Sequence, residues 1–252
     1  MILIQPDDNV LSVRGLGRDF GSFCAVKSLD LELYPREVYG FLGHNGAGKS
    51  TTIRMLTGFL KPSRGTVRIL GLDPLLHPVE IRKKIGLVPD HLQMYDRLSC
   101  WEFLEFCGRM HGLSEQEWQP RAEDGLKLLE LWEKRDTFIL DCSQGMKQKL
   151  ALLSALIHKP RILFLDEPFN GMDAISVIRV RQLLMDLRDQ GMTVFFSSHI
   201  LEIVEKVCDR VGIIRDGFLM MEGTQAEILE KSGAQSLEEV FLHGCGAKSN
   251  HP

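Results

Sequence analysis

The sequence predicts an α/β fold, a largely parallel sheet interrupted by a block of helices. Two observations carry this reading. Val38–Leu42 and Ile162–Leu165 are continuous apolar runs, the pattern of strands in a parallel sheet covered on both faces. Between Cys100 and Pro160, by contrast, strand signals almost vanish and apolar residues fall at helical spacing.

Taken in order, strands are expected at Val10–Arg14, Leu29–Leu33, Val38–Leu42, Thr66–Leu70, Ile85–Val88, Ile162–Leu165 and Thr193–Ser197. A helical stretch from Ser50 to Leu56 follows the third strand. In the helical block Trp101, Leu104 and Gly108 share one face, Leu126, Leu129 and Trp132 another, and a further helix spans 146–157. A helix over 174–190 aligns Val177, Val180, Leu184 and Leu187 and stops at Gly191, a residue suited to a helix end. Arg210 to Met221 reads as a hairpin turned at Asp216-Gly217. The expected organisation is one domain over 1–235, with a helical subdomain at about 91–158. A last short helix at Ser236 to His243 and a tail complete 236–252, the final dozen residues reading as tail-like.

With 252 residues, 44% hydrophobic and 25% charged, the chain has the composition of a globular protein with ample core. A net charge of −4 gives no general basic field, so no nucleic-acid partner is expected. The six cysteines show no C-x-x-C pair and no framework spacing, and read as reduced, mostly buried thiols, neither disulfide staples nor metal ligands. The start, Met1 to Val10, carries Asp7 and Asp8 and does not read as a signal peptide. The longest apolar stretch, around Leu150 to Ile157, falls well short of the roughly twenty residues of a membrane span.

Residues 43–51, Gly43-His44-Asn45-Gly46-Ala47-Gly48-Lys49-Ser50-Thr51, match G-x-x-x-x-G-K-[ST], with a strand before and a helix after. This is the phosphate-cradling P-loop: the glycines let the backbone turn its amides inward, and the helix start adds a positive dipole end. Lys49 supplies the charge for the β- and γ-phosphates, and the Ser50 hydroxyl is placed for Mg²⁺. The buried strand Ile162–Leu165 then ends in Asp166 and Glu167. Asp166 suits the Mg²⁺ shell, and Glu167 suits the polarisation of a water in line with the γ-phosphate. His199, just after the next strand, is a candidate γ-phosphate contact.

With these motifs in this order, the chain resembles the ATP-binding subunits of ABC transporters over residues 10 to 230, and within them the ATPases of ABC-2-type exporters. The resemblance implies a P-loop NTPase (RecA-like) core, an antiparallel β subdomain and an inserted α-helical subdomain. It implies ATP and Mg²⁺ as cofactors. Phe20 falls where the family stacks an aromatic on adenine. Cys142-Ser143-Gln144-Gly145-Met146 occupies the signature position, with Ser143 and Gly145 completing the ATP site of a second subunit in a head-to-tail dimer. Asp173, in Asn170-Gly171-Met172-Asp173, bridges the two subunits. Gln144 stands where the family has glycine and Cys142 where it has leucine. Asp90 stands where the family has a glutamine that reports nucleotide state to the membrane subunit; it could join the Mg²⁺ shell, and Gln93 is the alternative carrier of that role.

The resemblance implies the cytoplasmic ATPase of an exporter, a homodimer with ATP that sits on the inner face of the cell membrane through a separate permease. Tyr95, Trp101 and Phe103 are the expected groove for a permease helix. The alternative is a soluble single-cassette ATPase acting in cofactor or complex assembly without a permease. A P-loop kinase fits less well, because Asp166, Glu167, the signature and His199 form a set suited to water attack.

Overall fold

A computed structural model describes residues 9–246. Residues 1–8, on which the reading of the chain's start rests, the tail 247–252 and the Cys245 side chain lie outside the described residues.

The chain opens with a hairpin, β1 (Leu11–Phe20) and β2 (Phe23–Leu33), followed by β3 (Val38–Leu42), α1 (Lys49–Leu56) and β4 (Arg64–Ile69). A short α2 (Pro78–Arg82) leads to β5 (Ile85–Val88). The helical block holds α3 (Cys100–Met110), α4 (Glu115–Leu128) and α5 (Gln144–Leu156). Then come β6 (Ile162–Asp166), α6 (Ala174–Asp189), β7 (Thr193–Ser198) and α7 (Leu201–Val207). The hairpin β8 (Arg210–Arg215) and β9 (Phe218–Gly223) and the helices α8 (Gln225–Ser232) and α9 (Leu237–Gly246) finish it.

Among the described residues the strands form one sheet in the order β4-β1-β2-β9-β8-β3-β7-β6-β5. From β8 to β5 neighbouring strands run parallel, while β1 pairs antiparallel with both β2 and β4. A single pair, Ser28 with Phe218, joins the antiparallel part to the rest. The parallel strands are apolar throughout because alternate side chains serve two different cores. Val38, Leu163, Leu165, Val194 and Phe196 pack with the helical block and α6 and α7. Tyr39, Phe41, Phe164 and Phe195 face α1 and the antiparallel strands, through Ile53, Leu56, Leu16 and Leu31. Each such fully buried side chain contributes about 1.5–3 kcal/mol.

Several boundaries differ from those the sequence predicts. The first two strands are far longer, because register shifts in β1 and positive φ at Gly15 break the alternation that marks a strand. Trp132 does not continue the helix of Leu126: α4 ends at Leu128, Glu130 turns at φ +57°, and Trp132 starts a 3-10 turn. The signature helix begins at Gln144 because the Ser143 hydroxyl accepts the Met146 N–H and caps it. At the other end, α9 runs to Gly246, into the expected tail, and buries Leu237 in the core. Of the described cysteines only Cys100 and Cys142 are buried; Cys24, Cys107 and Cys208 are half-buried.

The aromatic groove is corrected as well. Phe103 is buried, and Trp101 packs between Trp118 at 5.2 Å and Trp132 at 6.0 Å. Of the three only Tyr95 is exposed, edge-on to Phe106; elsewhere in the block Phe138 and Leu140 are exposed.

Helix α5 lies so close to β5 that a Cβ on Gly86 would sit 2.4 Å from the Ala155 carbonyl oxygen. Gly86→Ala should therefore destabilise the fold by about 1–3 kcal/mol. In a thermal melt that is a loss of about 2–12 °C; an unchanged midpoint would contradict this helix-on-strand packing.

Candidate functional site

Strand β3 ends at Leu42, and the chain must turn at the carboxyl edge of the sheet. The turn is held to the neighbouring strand by Gly43 N–H donating to Ser198 O at 3.2 Å. Two of its glycines have no room for a side chain. A Cβ on Gly43 would lie 2.6 Å from Ile214 O, and one on Gly48, at φ +109°, 2.8 Å from Ala25 O. Gly46 also adopts positive φ, +83°. The first turn of α1 carries no acidic residue, so its free N–H groups and dipole are not countered there.

Lys49 folds back over this turn and is buried. Its ammonium donates to Gly43 O at 2.8 Å and His44 O at 3.3 Å and lies 3.1 Å from Glu167 Oε1. The Lys49–Glu167 contact is an ion pair without hydrogen-bond geometry. On the other side, His199 Nδ1 is 2.9 Å from Glu167 Oε2. A buried carboxylate thus sits between an ammonium and an imidazole. Its backbone is held at φ +51°, uncommon for a non-glycine residue and typical of strained functional positions.

Asp166 is placed one residue earlier, at the tip of β6, and is buried. Ser197 Oγ donates to Asp166 Oδ1 at 2.6 Å and accepts from Glu167 N–H at 3.1 Å, so one hydroxyl holds the Asp166 carboxylate and the Glu167 backbone. Burial raises the Asp166 carboxyl above its ordinary range. Hydrogen bonds from Ser197 and Ser50 oppose that shift, while the nearby Asp90 and Glu167 charges add to it. Asp90 itself accepts from Asn170 Nδ2 at 3.4 Å and has His91 Nε2 at 3.7 Å.

Lys49, Glu167, His199, Asp90 and Asn170 line a cleft of about 440 Å³, whereas Gly43, Asp166 and Ser197 are not part of its lining. Asn45, Gly46, Gly48, Lys49, Ser50, Thr51, Asp90, Glu167 and His199, all named from sequence, share it. Other sequence candidates lie outside. Ala47 is packed in the core, and His44 turns away, with Nδ1 at 2.8 Å from Asn45 O and Nε2 at 3.7 Å from Asp216. Phe20 pairs across the hairpin with Phe23 and lies under the Arg18 guanidinium at 4.6 Å. It is Phe23, 63% exposed, that lines the cleft, together with Ala25 and Asn170. Gln93 is exposed and borders no cavity described here.

Ser143, Gly145 and Asp173 also lie outside the cleft but close to one another. A Cβ on Gly145 would be 2.9 Å from Gly171 O, and one on Gly171 would be 2.7 Å from Gln144 Cγ. The start of α5 and the loop before α6 therefore meet backbone to backbone. Asp173 caps α6, accepting from Ser176 N at 2.9 Å and Ser176 Oγ at 2.6 Å. Those two hydrogen bonds hold its carboxyl at about 2. Phe23, Asn170 and Ser197 carry no role in the sequence reading. The serine pair ending β7 and the second aromatic at the Gly21-Ser22 turn were the available signals.

Comparison with known proteins is concordant with this geometry. A family profile described as ABC transporter matches residues 26–170. The chain is 36% identical over 219 residues to the ABC transporter ATP-binding protein NatA of Bacillus subtilis, covering 86% of this chain and 89% of that one. It is 34% identical to the linearmycin resistance ATP-binding protein LnrL of the same organism, over 93% of this chain and 76% of LnrL. The bacitracin transport ATP-binding protein BcrA of Bacillus licheniformis is 36% identical, over 84% and 69% of the respective chains. Among solved structures, an ATP-binding subunit of an ABC transporter superposes with a TM-score of 0.87 at 28% identity, covering 93% of this chain and 98% of that one. A P-loop turn, a strand tip bearing paired carboxylates, and relatives sharing most of its length lead to one conclusion: this chain belongs to the ABC transporter family as an ATP-binding, ATP-hydrolysing subunit.

Proposed function

We propose that the chain drives an export-type ABC transporter, closing on ATP as a head-to-tail pair of identical subunits and acting on a separate membrane permease. The observation that carries the hydrolytic part is Glu167, buried and held between Lys49 and His199 at the mouth of the P-loop. Glu167 accepts the proton of the attacking water, and His199 keeps its carboxylate aimed. Phosphate competes with Glu167 for Lys49, so binding of ATP releases the carboxylate for its task. The cleft contains no signature residue, while Ser143 caps a helix whose N-terminus and hydroxyl form a second anion-binding edge elsewhere on the surface. That separation suits a site completed by a second copy.

The donors around the P-loop fit Mg²⁺, which prefers oxygen and takes one or two carboxylates together with phosphates and water. Ser50 and Asp166 would hold it, with Asp90 alongside, and it would neutralise charge on the phosphates. Among the described residues no three His, Cys, Asp or Glu side chains cluster into a metal site of their own.

Export is supported by relatives named for bacitracin transport and linearmycin resistance. No helix among the described residues is long and apolar enough to cross a membrane; in this reading a separate permease spans it and this chain docks on the cytoplasmic side. The Asp90 loop borders a second cavity, about 280 Å³, shared with Gln144 and Lys147 at the start of α5. A permease segment pressing on this loop would be felt at the nucleotide through Asp90 and at the signature through Gln144.

Lys49→Ala should lose tight ATP binding and slow turnover by about 10²–10³; a wild-type rate would contradict the role of the lysine. Glu167→Gln should still bind ATP but hydrolyse it at least about a hundredfold more slowly, and should accumulate as a dimer on size-exclusion chromatography with ATP. A monomer peak beside normal hydrolysis would refute both the general base and the pairing. Asp90→Asn removes a negative charge beside Asp166 and Glu167. Its ATPase rate should depend less steeply on Mg²⁺ than that of the wild type, most clearly with the permease present, and superimposable curves would leave Asp90 without a role.

A further inference from the structure

Two cysteines that the nucleotide chemistry does not use lie against each other beneath the signature turn. Cys100 opens α3, and Cys142 follows the 3-10 turn Ile139–Asp141 and directly precedes Ser143. Their sulfur atoms are 3.6 Å apart. Cys100 is fully buried and Cys142 is 7% exposed. The two segments are fastened side by side, with Ile139 N–H donating to Leu98 O at 2.9 Å and Cys100 N–H to Thr137 O at 3.1 Å. The backbone itself brings the sulfurs together. Cys24, Cys107 and Cys208 lie elsewhere, beside Arg64, Ser154 and Gly40 respectively.

We propose that Cys100 and Cys142 form a reversible redox modification site: a peroxide-class oxidant joins them in a disulfide that displaces the signature turn and slows ATP hydrolysis. The effect on hydrolysis rests on the role given above to Ser143; the bridge itself does not.

The chemistry balances. Cys142, nearer to solvent, loses its thiol proton and attacks one peroxide oxygen; the O–O bond breaks and the departing hydroxide takes up that proton and leaves as water, giving a sulfenic acid. Cys100 then loses its proton and attacks the sulfenic sulfur; the S–S bond forms, the S–O bond breaks, and the hydroxyl leaves as a second water. Two thiols and one hydrogen peroxide give one disulfide and two waters, the two electrons from sulfur going to the peroxide. Burial, with the neighbouring Cys142 as a second cause, pushes the Cys100 thiol up to about 12, so Cys100 is the resolving thiol and gives up its proton in the step in which it attacks.

Bond formation brings the sulfurs from 3.6 Å to about 2.05 Å. Cys100 and Cys142 share one buried core, but Cys100 sits in the first turn of α3 while Cys142 lies on the short connection into α5. The connection therefore does the moving, and it carries Ser143, whose hydroxyl starts the signature helix. Misplacement of a positioned group on this scale costs up to about a hundredfold in rate.

The test uses the purified full chain treated with hydrogen peroxide. Peptide mass spectrometry without reduction should show the Cys100 and Cys142 peptides joined with the loss of two hydrogens. ATP turnover should fall by about tenfold to a hundredfold and recover with dithiothreitol. Cys100→Ala and Cys142→Ala, each checked by thermal melting, should yield no joined peptide and no reversible loss of turnover. Failure of the wild type to form the joined peptide would overturn the proposal, and so would a bridge that leaves turnover unchanged. Failure of the reduced protein to dimerise with ATP would count instead against the head-to-tail reading, since the bridge is read by mass alone.

Discussion

The register of three parallel strands is the constraint on which the rest depends. Leu42 on β3 is opposite Ser198 on β7, and Asp166 on β6 is opposite Ser197. The residues that follow, Gly43, Glu167 and His199, therefore emerge at one edge of the sheet. A slip of one residue would turn Asp166 into the apolar core and bring Leu165 to the edge. The slip is opposed on both faces, because Phe164 and Phe195 fill one core while Leu165 and Phe196 fill the other. Packing on two sides thus sets the position of the charges, and ligand binding at the carboxyl ends of such strands follows from it.

Those charges are costly to bury, and the site compensates for each. Lys49 has two carbonyls and Glu167 within 3.3 Å. Asp166 has two hydroxyls, though burial still raises its carboxyl. Glu167 has a positive group on one oxygen and His199 on the other, on a backbone conformation that costs about 1–3 kcal/mol. Removing any one partner leaves a buried charge uncompensated, which is why the loop, the strand tip and the histidine behave as a unit.

The signature edge is built differently. It has no buried ion pair, and its precision comes from backbone contact between Gly145 and Gly171 and from the two caps, Ser143 on α5 and Asp173 on α6. Gln144, bulkier than the usual glycine, finds space over Gly171, whose positive φ and missing side chain open it. The Cys100–Cys142 contact lies directly behind this edge, so both the nucleotide partner and the redox state of the chain would act on one short connection.

Sequence by itself determined the P-loop, the apolar strand ending in Asp166 and Glu167, and the parallel core, because each depends on neighbours along the chain: glycine spacing, an unbroken apolar run, a helix stop. Strand ends at Val38–Leu42 and Ile85–Val88 coincide with the structure for that reason. Tertiary structure decided what depends on approach across the chain. Phe23 rather than Phe20 lines the cleft because of the twist and bulges of one hairpin. Ser197 ties the Asp166 carboxylate to the Glu167 backbone only because β7 lies beside β6, and Asn170 meets Asp90 only because β5 does. Trp101 is partly covered by Trp118 of α4 and by Trp132 of the following turn, and Phe103 is buried in the helical core. Local chain geometry is written in short-range spacing; contacts between distant segments arise only when burial of apolar surface selects one packing among many.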